Sequence, residues 1–201
     1  VGGDLAIATN CWIYPHSHPT NGGSVLLRAN NLTVASPGGG INADGRGFRK
    51  ALYENVAFTR YSGFGPGGGR RYYTGGGYGG LGSDYYATNY WGLTYGSSNA
   101  PIDPGSAGGI MSYGDALGGN GGGLIRIEAG NTVTIRGPLS ANGQAAYAWY
   151  GGGSGGGIYI RCGRFDGDTN GSLQAQGGNG GAYGGGGGGG RIAVWRIRDF
   201  S

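Results

Sequence analysis

A glycine pair leading into alternating aliphatic residues recurs along this chain, and that recurrence limits its possible folds more than any other feature. The first copy begins at Gly22 (GGSVLLRANNLTVASPGGGINADGRG), and the second at Gly122 (GGLIRIEAGNTVTIRGPLSANGQ). The third begins at Gly156 (GGIYIRCGRFDGDTNGSLQAQGGNG), and a partial fourth at Gly189 (GGRIAVWRIRDFS). The last three starts lie 34 and 33 residues apart. A repeat of this length is one structural unit that cannot bury its own apolar face and must stack on its neighbours.

The pattern inside each copy specifies strands. Val25 and Leu27, Ile125 and Ile127, Ile158 and Ile160, and Ile192 and Val194 alternate with period two, which puts them on one face of an extended chain. A second alternation follows in Leu32 and Val34 and in Val133 and Ile135. A third element reads Ile/Leu-x-Ala: Ile41 and Ala43, Leu139 and Ala141, Leu173 and Ala175. Three short strands per turn, separated by glycine or asparagine corners, predict an all-β fold: a parallel β-helix (β-solenoid) with columns of Ile, Leu and Val inside. Asp4 to Ala8 reads as a strand of an earlier, incomplete turn.

Composition supports this reading. Of the 201 residues 54 are glycine, without the G-X-Y period and proline content of collagen. Glycine costs about 1 kcal/mol per helical position relative to alanine, so essentially no helix is expected. No apolar run is long enough to span a bilayer. The net charge of +4 is the balance of 14 basic and 10 acidic residues, and the basic ones are scattered along the chain, which argues against a nucleic-acid footprint. No basic-then-apolar leader precedes Val1, so the sequence reads as a processed form or a fragment. One domain over 1–201 is expected, with repeat units near 22, 122, 156 and 189. A long Gly/Tyr-rich insertion over 53–121 breaks the register. Shorter relatives, QAAYAWYGGGSGGG and AYGGGGGGG, occupy the matching places between later copies. These excursions read either as flexible linkers or as extended glycine strands lying flat on the side of the solenoid with Tyr and Trp stacked between them.

The segments INADGRG, YGSSNAPIDPGSAGG, GGGLIRIEAGNTVTIRGPLSANG, GGGSGGGIYIRC and GGGGGGGRIAVW resemble a glycine-rich repeat of very large secreted and surface proteins of bacteria, including planctomycetes and verrucomicrobia. The resemblance covers nearly the whole chain. It implies a secreted, parallel β-helix-like module at an extracellular or cell-surface location and brings no catalytic residues with it.

The candidate sites are few. Asp166, Asp168 and Asn170, followed by Gly171, have the D-x-D-x-N-G opening of a calcium loop, which makes calcium the candidate cofactor. The twelfth position is Gly177 rather than Glu, so an Asp/Asn/Gly turn between strands competes with that reading. His16 and His18 point to one side of an extended segment, but two ligands do not make a metal site. Cys11 and Cys162 stand either as one disulfide or as two thiols in separate turns. The GxGxxG matches near Gly63 to Gly69 lack the strand-then-helix context of a nucleotide site. The ten acids are thinly spread, and only Asp166 and Asp168 are close in sequence. A polysaccharide-active β-helix enzyme needs clustered carboxylates.

Three functional expectations follow, in order. The first is a non-catalytic extracellular structural protein that self-assembles head to tail into a fibre or surface layer. It would use Leu5 and Ile7 at one end and Ile192 and Val194 at the other, with Asp4 to Ala8 against Arg191 to Ile197 of the next copy. The second is an adhesin or extracellular glycan-binding module presenting Tyr72, Tyr73, Tyr85, Tyr86, Tyr90 and Trp91. The third is a polysaccharide-active enzyme.

Overall fold

The computed structural model describes residues 2–51, 62–70, 73–85, 89–110 and 118–197. It contains twelve strands and, among the described residues, no α-, 3-10 or π-helix. They are β1 (Leu5–Ile7), β2 (Trp12–Ile13), β3 (Leu26–Ala29), β4 (Leu32–Val34), β5 (Gly40–Asn42) and β6 (Leu124–Ala129). The chain continues through β7 (Thr132–Ile135), β8 (Pro138–Ser140), β9 (Gly157–Cys162), β10 (Arg164–Gly167), β11 (Ser172–Gln174) and β12 (Arg191–Arg196).

Every third strand falls in the same sheet, which makes a three-sided parallel β-helix. One sheet runs β1-β4-β7-β10, the second β2-β5-β8-β11 and the third β3-β6-β9-β12, all with parallel pairing. The register aligns the repeats residue for residue. Ile125 pairs with Ile158 and Ile158 with Ile192. Leu5, Leu32, Val133 and Phe165 form a second column, and Ile13, Ile41, Leu139 and Leu173 a third.

These columns are the core. Leu32, Val34, Ile41, Ile127, Val133, Leu139, Ile158 and Ile160 are completely buried, and full burial of such a side chain contributes roughly 1.5–3 kcal/mol. Ala43 and Ala141 fill the narrow corner after β5 and β8. Along the outer face, Arg28 and Arg126 both bind Glu128, at 2.7 and 2.8 Å. Their hydrogen bonds, that from Arg28 first, hold the Glu128 carboxyl below the usual glutamate range.

The glycine-rich excursions all leave from the corner between the second and third sheets: residues 43–123, 141–156 and 175–190. Each return arm closes on its own outgoing arm through an equivalent bond. The amides of Gly123, Gly156 and Gly190 donate to the carbonyls of Ala43, Ala141 and Ala175, each at 2.7 Å. The first excursion therefore begins about ten residues before the 53–121 insertion read from composition.

Candidate functional site

Within the excursions the hydrogen bonds follow a period of three. The amides of Gly151 and Ser154 donate to Gly109 and Ser106; those of Gly152 and Gly155 donate to Gly185 and Gly188. Those of Gly153 and Gly156 donate to Gln144 and Ala141. One segment thus binds three neighbours in rotation. The three-residue repeat is that of the polyproline II helix, which makes no internal hydrogen bonds and offers every peptide group sideways. The described parts of the excursions thus have the hydrogen-bond pattern of a bundle of such helices, each satisfied by its neighbours, and are not free linkers.

Glycine is required there mainly for space. Among the described glycines, only Gly22, Gly38, Gly45, Gly65 and Gly96 have positive φ. Elsewhere a Cβ would run into a neighbouring backbone: at Gly153 it would stand closer than 3.0 Å to the Asn120 carbonyl, and at Gly151 to that of Thr74. Backbones this close also bring Cα–H groups onto carbonyls, a weak additional attraction. Two buried serines interrupt the glycines without breaking the lattice, because the Ser154 hydroxyl accepts from the Ser106 amide at 2.8 Å and that of Ser106 accepts from the Gly67 amide at 3.0 Å.

The run Tyr183 to Gly190 shows the periodicity most plainly. A Cβ at Gly184, Gly185, Gly187, Gly188 or Gly190 would collide with backbone, whereas one at Gly186 meets nothing nearer than 3.6 Å and one at Gly189 nothing within 4 Å. Positions 183, 186 and 189 therefore form the outward edge of this helix, and the first carries an exposed tyrosine.

Aromatic side chains gather where these helices reverse. The second excursion turns at Tyr147 to Tyr150, with the Tyr150 amide on the Tyr147 carbonyl (3.2 Å). The third turns at Gly181 to Gly184, with the equivalent bond at 2.9 Å. The Tyr183 amide reaches the Ala148 carbonyl and that of Gly185 the Tyr73 carbonyl, so these two turns meet each other and the first excursion at Tyr73. There Trp149 stacks on Tyr183 with centroids 4.2 Å apart and planes at 17°. Tyr73 lies 6.1 Å from Trp149, and Tyr85 meets Tyr183 edge-on at 5.5 Å. Tyr85, Trp149 and Tyr183 are all exposed, and the neighbouring Tyr147 is 71% exposed.

Other aromatics of the first excursion serve packing. Tyr78 is fully buried against Tyr95, centroids 4.8 Å apart, with Arg191 over its ring. Burial pushes both phenols well above the usual tyrosine range.

Of the aromatics read from sequence, Tyr73 and Tyr85 join this cluster. Tyr90 is exposed and Trp91 half-buried, and Tyr72 and Tyr86 lie outside the described residues. Trp149 and Tyr183 were not singled out by sequence, although each stands just before a glycine run, which is the signal that marks them.

The remaining candidates take structural places. Asp166 accepts from the Gly167 amide at 2.9 Å and faces Arg164, while Asp168 accepts from the Asn170 amide at 2.8 Å and faces Arg136 at 3.9 Å. This is an aspartate turn between β10 and β11, its charge met by arginine. Among the described residues no group of three His, Cys, Asp or Glu side chains is placed to hold a metal ion. His16 Nε2 lies against the Arg46 guanidinium, and His18 Nδ1 accepts from the Asn21 amide. Gly63 to Gly69 belong to the glycine lattice.

The structure decides between the two cysteine readings and corrects one expectation. Cys11 and Cys162 are free thiols, the first exposed and the second buried. They sit before β2 and at the end of β9, more than two rungs of about 4.8 Å apart, beyond the reach of a disulfide. Secondly, β1 and β12 belong to different sheets. The strand in line with β12 at the opposite end is β3; β1 lines up with β10 and β2 with β11.

Comparisons with protein-family models, curated proteins and solved structures returned no match. What is defined is a class of architecture: a three-sided parallel β-helix carrying a glycine-helix bundle at one corner and an aromatic row at the bundle's reversals.

Proposed function

We propose that the protein is a non-catalytic extracellular structural module that stacks head to tail on further copies of itself. The observation carrying this reading is that each of the three sheets has four strands, so the sheets are of equal depth. A second copy placing its β1, β2 and β3 over β10, β11 and β12 continues all three sheets with neither gap nor overlap.

The side chains at these faces match such continuation. Ile158 and Ile160 are fully buried, yet Ile192 and Val194, next in the same columns, are 43% and 37% exposed. At the other end Leu5, Ile13 and Leu27 are half-buried. Open sheet edges over an apolar column favour pairing with another strand. Head-to-tail contacts do not close on themselves and so build filaments. The resemblance of the repeats to those of large secreted proteins supports the extracellular placement.

The test is electron microscopy of the purified chain over a range of concentrations, together with cysteine trapping. Extending the register places Ala193 of one copy against Leu26 of the next, so Ala193→Cys with Leu26→Cys in a Cys11→Ser background should give disulfide-linked ladders. Filaments should repeat about every 19 Å, four rungs of about 4.8 Å. A chain that stays monomeric at high concentration and forms no ladder defeats the proposal.

A further inference from the structure

We infer that the aromatic row Tyr73–Trp149–Tyr183–Tyr85, with Tyr147 beside it, is a binding platform for a neutral polysaccharide. The row lies at the reversals of the glycine helices, whereas the stacking faces lie on the ends of the β-helix, so this inference does not rest on the proposed assembly.

The chemistry of the row selects its ligand. Exposed aromatic patches on a soluble surface mark interaction sites. Tyrosine and tryptophan combine a π face with a hydroxyl or indole N–H at the ring edge. That combination matches a sugar ring, whose C–H face packs on an aromatic plane while its hydroxyls bond at the perimeter. None of the five rings carries a formal charge at neutral pH, which favours a neutral glycan over an acidic one. None is aliphatic, unlike the Ile and Val of the end face that suits protein stacking.

The scaffold holds the row ready. Its rings come from three separate excursions, and the turns bearing them are tied together by the bonds from Tyr183 to Ala148 and from Gly185 to Tyr73. A site on loops fixed by a rigid frame loses little freedom on binding. Beyond Tyr183 the outward positions of the same helix are Gly186 and Gly189, where side chains are absent; a Cβ would make only ordinary contacts at the first and meet open space at the second. A bare strip of peptide thus continues from the row, giving an extended chain of sugars room to lie flat.

The experiment is isothermal titration of the intact protein with three neutral probes, cellohexaose, xylohexaose and maltohexaose, and with oligogalacturonate as the acidic contrast. At least one neutral probe should bind, oligogalacturonate should bind at least tenfold more weakly, and Trp149→Ala and Tyr183→Ala should each weaken the neutral probe at least tenfold. Both side chains are exposed, and an unchanged circular dichroism spectrum and melting temperature would show that the fold survives. Gly189→Trp, whose Cβ would meet no atom within 4 Å, should weaken a hexasaccharide more than a disaccharide. Absence of heat with all three neutral probes at millimolar concentration, preference for the acidic probe, or unaltered binding by folded Trp149→Ala would each overturn the inference.

Discussion

The amide of Gly156 donates to the carbonyl of Ala141 at 2.7 Å, and this bond ties the two halves of the protein together. Ala141 follows β8 at the narrow corner of the β-helix, while Gly156 is the last residue before β9. With its equivalents at Gly123 and Gly190, the bond transmits the rung spacing of the strands into the glycine bundle. Excursions of very different length are thereby brought into register.

The clearest consequence concerns alanine substitution in the run from Gly184 to Gly190. Gly186→Ala and Gly189→Ala should leave the melting temperature nearly unchanged. Gly185→Ala and Gly187→Ala should each destabilise by about 2 kcal/mol or more, the scale of an overpacked interior, because their Cβ atoms collide with the Ser83 and Gly153 carbonyls. Thermal melts of the four variants check this, and a uniform response across the run would contradict the three-residue period.

Substitutions along one interior column should separate the middle from the end. Ile160→Ala removes a completely buried side chain and should cost about 3 kcal/mol. Val194→Ala, 37% exposed in a single copy, should cost well under half of that in dilute protein. Denaturant unfolding below the concentration at which copies associate measures both.

Thiol chemistry should distinguish the two cysteines. Burial pushes the Cys162 thiol up and screens it, and the thiolate is the reactive form. In the native protein a thiol reagent should label Cys11 alone, with Cys162 reacting only on unfolding. Mass spectrometry of labelled peptides reads this directly.

Stability should fall at both extremes of pH. Glu128 has a depressed pKa in the folded state, so the stabilisation it gives is complete above the ordinary glutamate range and is lost as pH falls through the folded value. The loss should be small, on the order of 0.5 kcal/mol, since Arg28 is well exposed, and Glu128→Gln should abolish it. Tyr78 and Tyr95 act at the other end. Their phenols are held neutral by burial, so the unfolded chain releases protons first, and stability should drop as pH rises beyond about 10. Tyr95→Phe should reduce that alkaline slope in pH-dependent melts.

The sequence by itself determined the rungs. Alternations such as Ile125 and Ile127 or Leu32 and Val34 fix which side chains face inward, and repetition at 33 to 34 residues fixes what stacks on what, because a period-two strand has one way to bury its apolar face. The parallel sheets and their core columns follow from that.

Tertiary structure alone decided the rest. Glycine has no side chain with which to specify a partner, so nothing in the run from Gly184 to Gly190 says that Gly185 lies against Ser83 or Gly187 against Gly153. Those contacts are set by backbone hydrogen bonding between segments distant in sequence. The same holds for Trp149 and Tyr183, which stack only because two excursions of unequal length are anchored one rung apart. It holds also for Cys11 and Cys162, whose separation is set by the number of turns between them.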